Sequence, residues 1–221
     1  MINIPDKILP QELQRKRLIV FIDGNHLYHR MEDYYGTYDI NIRQLCETLC
    51  TINRSLVEIR YYYTPFKQSL DPNKYRLQQM YVEKFKNTAD MKVITGKYIR
   101  KPVIFHKSTM DKIINIVTKD ELQTYVEKGI DVNIAVDMIH LANEGHYDVA
   151  ILLSGDSDFV PAITQVRNYR KMVQVAAFQT KENSCYDLIN ACNSFLNLHH
   201  YVPPILFQKA KEPWPEGHSS F

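Results

Sequence analysis

Residues 149–178, VAILLSGDSDFVPAITQVRNYRKMVQVAAF, set an unbroken apolar run, a polar turn, a helix-like segment and a second apolar run in succession. Short runs without alternation read as strands buried on both faces, and two of them joined through a helix form a parallel β-α-β unit. The stretch therefore decides the fold as α/β. It also poses a chemical question, because Asp156 and Asp158 stand together just past the carboxyl end of the buried run.

The same pattern recurs along the chain. RLIVFIDGNHLYHRM places a strand over Leu18–Ile22, a turn at Gly24 and then a helix, and NIRQLCETLCTI has Ile42, Leu45, Cys46, Leu49 and Ile52 on one helical face. SLVEIRYYYT reads as a strand, DPNKYRLQQMYVEKFKN as a helix opening at Pro72, and DVNIAVDMIHLAN as a further helix. MKVITGKYIRKPVIF reads as a hairpin or a strand with a broken edge. In the Tyr61–Tyr63 run, strand alternation sends Tyr61 and Tyr63 to one face and Tyr62 to the other, so packing explains most of it.

Bulk properties bound the answer. The 221 residues are 45% hydrophobic and 24% charged, which suits one globular domain with a full core. The opening MINIPDKILPQELQRKR mixes charge with proline where a signal peptide needs an apolar core, and no run of about 18 apolar residues occurs. A cytoplasmic protein without a membrane span is the expectation. Cys46, Cys50, Cys185 and Cys192 lack zinc-knuckle spacing and read as buried reduced thiols. The net charge of +2 announces no nucleic-acid partner by itself. The expected organisation is an N-terminal extension at 1–16, one domain at 17–195, and a proline-rich arm or tail at 196–221; if that arm packs on a neighbour, a homodimer follows.

Three strand or helix ends carry acids: Asp23 after the first strand, Asp131 at a helix start, and Asp156 with Asp158. Parallel strands bring Asp23 and Asp156 to one sheet edge. Each alone is an ordinary cap or turn residue, but carboxylates ~4 Å apart repel by about 4 kcal/mol at an effective dielectric near 20. A divalent cation removes that penalty. An acid cluster lacking histidine and cysteine suits magnesium or manganese, hence phosphoryl chemistry in which the metal activates a water. Asp158 is open between ligand, holder of a ligand water, and helix cap. Asp137, rotated by roughly 240° from Asp131 on a helix, reads as a residue behind the ligands or a structural one.

FIDGNHLYHRM, KGIDVNIAVDMIHLA and YDVAILLSGDSDFVPAITQVRNYRKMVQVAAF together resemble the NYN domain of the PIN-like nuclease superfamily, in its LabA-like branch, over about residues 17–190. The resemblance implies a Rossmannoid three-layer α/β/α sandwich with a mostly parallel sheet and an aspartate cluster that binds Mg2+ or Mn2+ and cleaves RNA. It assigns Asp23, Asp131, Asp156 and Asp158 as catalytic and metal-binding residues, and Asp137 also matches an acidic position. The family commonly has asparagine where this chain has His26; Asn25, one position earlier, and Ser154 are the candidate supporting residues.

On the substrate side, Lys97, Arg100 and Lys101 sit among aromatics in a basic stretch, a composition suited to single-stranded RNA or to a solvated edge strand. Lys128 precedes Gly129 and Asp131, near where a scissile phosphate would lie. Two other readings remain: an inactive NYN-fold module binding RNA or protein, and a phosphatase with Asp23 as nucleophile. The second needs an acid where Asn25 stands.

Overall fold

The computed structural model describes residues 15–86, 88, 90–102, 123–180 and 185–209, and among them eight strands are interspersed with helices. The first half holds β1 (Lys16–Asp23), α1 (Gly24–Tyr35), α2 (Ile42–Leu49), β2 (Arg54–Tyr63), α3 (Pro72–Lys86), β3 (Met91–Thr95) and β4 (Lys97–Pro102). The second holds β5 (Gln123–Lys128), α4 (Ile130–Asn143), β6 (Val149–Leu153), a 3-10 turn at Ser157–Phe159, α5 (Val160–Asn168), β7 (Met172–Ala177), α6 (Tyr186–Ala191), β8 (Ser194–Asn197) and α7 (Val202–Lys209). Residues 1–14 and 210–221 lie outside the described residues, and with them most of the expected N-terminal extension and the end of the expected tail.

Six strands form one parallel sheet in the order β3-β2-β1-β6-β7-β8. The chain runs outward from β1 to β3, returns to the centre at β6, and runs outward the other way. The reversal lies between β1 and β6, so the crevice at their carboxyl ends is where such a sheet binds ligands. The runs Leu18–Ile22 and Val149–Leu153 are apolar because both faces are covered: Val20, Phe21, Ile22 and Leu152 are fully buried, each contributing ~1.5–3 kcal/mol of apolar burial.

Two cores flank the sheet. Leu18, Val20 and Ile22 pack with α1, α2, α3 and α7, whereas Ile19, Phe21, Ala150 and Leu152 pack with α4, α5 and α6. These are the three layers expected. The tyrosine run divides as alternation requires, with Tyr61 and Tyr63 in the first core and Tyr62 in the second.

Local departures have physical causes. Helix α2 stops at Leu49, one turn short of Ile52, which is left 91% exposed. MKVITGKYIRKPVIF divides: β3 joins the sheet beside β2, and β4 pairs antiparallel with β5 in a separate two-stranded ribbon. The boundary expected at residue 195 falls inside β8, and Leu198, Val202 and Ile205 belong to the first core. Residues 196–205 are therefore part of the globular unit. Among the described residues, no helix is long and apolar enough to cross a membrane.

Candidate active site

The register that pairs Ile22 with Leu153 brings the next residue of each strand end together. The Ser154 hydroxyl donates to Asp23 Oδ2 at 3.2 Å, and Asp23 Oδ1 accepts the His26 N–H at 3.0 Å as the N-cap of α1. Asp23 is thus fixed at both oxygens and is only 6% exposed. Burial above all, with smaller contributions from the Asp131 and Glu127 charges, raises its pKa to about 6 against the pull of those two hydrogen bonds. Gly24 is required here by close approach: a Cβ would lie 2.5 Å from the Tyr61 ring and 2.6 Å from the Tyr62 carbonyl.

Asp156 follows the same turn. Its N–H donates to Ser154 Oγ at 3.3 Å, and its Oδ1 caps the 3-10 turn by accepting the Asp158 N–H at 2.9 Å. The capping part considered for Asp158 therefore belongs to Asp156, and Asp158 is exposed. Asp131 lies in the first turn of α4, which the chain enters from β5 through Gly129 at a φ of 95°. Its pKa is raised by burial first and then by Asp156, Glu127 and Asp158. Asp131 thus lies within electrostatic reach of Asp23, Asp156 and Asp158, and the charge of neighbouring acids adds to burial in raising the pKa values of Asp23 and Asp131.

Three further residues complete the edge. Glu127 Oε1 accepts from Asn25 Nδ2 at 2.7 Å and from Thr64 Oγ1 at 2.6 Å, tying the β4–β5 ribbon to the ends of β1 and β2. His26 Nε2 accepts the Gly155 N–H at 3.2 Å, so its ring proton is on Nδ1. Burial, then Arg30, lowers the His26 pKa to about 4, and it stays neutral at ordinary pH. Glu127 adjoins KGIDV in sequence, but only the ribbon register reveals where it points; His26 was marked as a departure from the family pattern, and Thr64 carried no signal.

The structure also places the remaining candidates. Asn25 is committed at both ends of its amide, since Oδ1 also accepts the Thr64 N–H, and it buckles the ribbon instead of facing a phosphate. Asp137 accepts from Arg60 Nη1 at 2.6 Å and from the Tyr62 hydroxyl at 2.7 Å, a structural engagement away from the other acids. Lys97 and Lys128 are cross-strand partners, as are Tyr98 and Glu127. Alternation puts the exposed Lys97 and Lys128 on the ribbon face opposite Glu127, so Lys128 does not point toward Asp131 through that strand. The side chains of Arg100 and Lys101 lie outside the described residues.

The donor set is entirely carboxylate oxygen, which suits a hard cation such as magnesium or manganese. Among the described residues, however, no three His, Cys, Asp or Glu side chains converge on one ion position. A shell of four direct aspartate ligands is therefore not built.

Comparison with known proteins agrees with this architecture. The NYN domain model matches residues 104–199, a span that includes KGIDV and SGDSDF. The chain is 24% identical over 203 residues to the low amplitude and bright protein LabA of Synechococcus elongatus, covering 90% of this chain and 91% of that one. The crystal structure of a Vibrio parahaemolyticus protein of unknown function shares the fold at a TM-score of 0.54 and 17% identity, over 86% of this chain and 96% of its own. The NYN domain is a PIN-like nuclease fold, so the comparisons point to a nuclease or RNA-related role.

Proposed function

From the NYN likeness and the aspartate edge, we propose that the protein is a metal-dependent ribonuclease hydrolysing phosphodiester bonds in single-stranded RNA. The observation that carries the reading is the buried Asp23, held at both oxygens, with a pKa raised to about 6 by burial and by acids from two other elements. A fold keeps such a destabilised carboxylate where a cation will use it. Asp23 and Asp156 are the residues that would hold Mg2+ or Mn2+ directly, with Asp158 beside Asp156 on the same turn and Asp131 at the start of α4 adding their charge. A bound ion of this kind supplies a nucleophile from water at neutral pH and shields phosphate charge.

The chain's own groups do the positioning. Ser154 joins Asp23 to the Asp156 backbone, so the two strand-end acids move as one unit. His26 fixes the Gly155 amide and thereby the turn that presents Asp156. Glu127, latched by Asn25 and Thr64, adds negative charge beside Asp23 and Asp131 and strengthens the demand for a cation.

Asp156→Asn is expected to abolish cleavage of single-stranded RNA while circular dichroism and melting report an intact fold. Undiminished cleavage by a clean preparation of that variant overturns the proposal. A silent RNA-binding module is the second reading, favoured by the absence of three convergent ligands among the described residues. Stabilisation by either ion without cleavage of varied RNAs would decide for it.

A further inference from the structure

Beside the acid edge, on the face of the sheet covered by α5 and α6, lies a groove of about 680 Å³ whose near end is formed by Ser157 and Asp158. Its wall passes Pro161, Thr164 and Arg167 along α5 and meets Asn190 on α6. A second groove of about 430 Å³ shares Thr164 and Arg167 with it and continues to Arg170, Lys171 and Asn193. The two form one channel running along α5, which rises ~14 Å over its nine residues.

The channel changes character along its length. The first groove carries Asp158, a member of the aspartate edge, and Asp187 beside Arg167, whereas the second carries Arg167, Arg170 and Lys171. Exposed Arg167 keeps its place because Nη1 donates to the Ala191 carbonyl, which fixes the guanidinium across the α5–α6 gap. Arg170 is held by backbone geometry in the left-handed region, at a φ of 59°, with its N–H bonded to the Arg167 carbonyl. Lys171 is shared with Asp148 at 3.5 Å and contributes less charge. Between the ends, Thr164 and Asn190 offer polar contacts and Val160, Pro161 and Ala191 offer apolar ones.

We infer that this channel is the track for the RNA strand on one side of the cleaved bond, with its phosphates on Arg167 and Arg170 and its nucleotides against the α5–α6 walls. The inference rests on the nuclease reading for its direction, since it takes Asp158 as the start of the track. Arg167, Arg170 and Lys171 in the second groove commit the occupant of that end to a polyanion. They also supply the cationic surface that the net charge of +2 does not announce. The β4–β5 ribbon lies on the other side of the acid edge, beside Asn25 and Thr64.

The test is binding of a fluorescein-labelled oligouridylate 12-mer to the full chain, followed by anisotropy in EDTA across a salt series. Arg170→Asp is the principal variant, because aspartate tolerates the left-handed backbone. It is expected to weaken binding about five- to tenfold and to reduce the slope of log affinity against log salt by ~0.7, the value for one lost single-strand phosphate contact. Thr164→Lys, adding a cation midway along the track, should tighten binding, and Arg76→Glu on α3, across the sheet, should leave it unchanged.

No binding by the wild-type chain, or equal affinity in wild type, Arg170→Asp and Thr164→Lys, overturns the track. An equal loss in Arg76→Glu overturns it too, by showing a diffuse charge effect. The nuclease reading fails separately, through absence of cleavage in magnesium or manganese, and that result leaves the binding measurements fully interpretable.

Discussion

Replacing Asp23 by Asn removes a charge that the folded chain holds at a cost, and the structure sets the size of the effect. The carboxyl passes from an unfolded pKa of 3.8 to a folded pKa of about 6, a shift of roughly two units and so ~3 kcal/mol. The sign follows from proton binding. Between these two values the folded state holds a proton that the unfolded state has lost, so the group's contribution to stability is fully present below pH 3.8 and is lost as pH rises through about 6. Asparagine escapes that loss and keeps the geometry, since its oxygen still accepts the His26 N–H and its amide can donate to Ser154. Allowing for relaxation of the site, Asp23→Asn in EDTA should be about 1–3 kcal/mol more stable than wild type at pH 7, a rise in Tm of roughly 2–10 °C. The advantage should shrink as pH falls toward 4. Urea unfolding at pH 4, 5, 6 and 7 measures it, and the same variant should cleave no RNA. A variant less stable than wild type at pH 7, or an advantage independent of pH, refutes the account of Asp23 as a strained carboxylate.

Four other outcomes are open to measurement. Magnesium or manganese should raise the stability of the wild-type chain by ~2.7 kcal/mol at a hundredfold excess over Kd, with a smaller effect in Asp156→Asn; melting curves that ignore both ions argue against any cation at the edge. Asp137→Asn, which deprives Arg60 and Tyr62 of their shared acceptor, should cost about 1–2 kcal/mol and leave RNA cleavage in place, so lost cleavage at unchanged stability would assign Asp137 to the site. Thr64→Val removes a donor to Glu127 at ~1 kcal/mol and should speed hydrogen exchange of the β4–β5 amides, whose undiminished protection would show that the latch holds nothing. Gly24→Ala forces a Cβ against the Tyr61 ring and the Tyr62 backbone and should destabilise by about 2 kcal/mol or more; a Tm near wild type contradicts the close approach.

The sheet was legible because its strands are buried on both faces: all five residues of β6 are covered, and no alternation obscures the run. The acids were legible because parallel strands put their carboxyl ends on one edge, so Asp23 and Asp156 could be placed by counting. Local pattern failed where a distant pairing decides. Glu127 reaches the edge only through the β4–β5 register, and Asp137 is claimed by an arginine 77 positions away. The prolines of VPPILF signalled an arm, yet Pro203 and Pro204 sit in the first turn of α7, where no helical N–H is required of them, and Val202 and Ile205 remain free to enter the core.

The reversal of the sheet between β1 and β6 also orders events in time. Asp23 is made early, whereas Asp131, Asp156 and Asp158 lie in the second half, so a ribosome must release the chain beyond Phe159 before the edge exists in one piece. A half-made chain beside its own messenger carries Asp23 and none of the other three edge aspartates. Synthesis from the N-terminus at ~5–20 residues per second thus delays the proposed cutting activity until the central strands have met, and the topology itself acts as the safety catch.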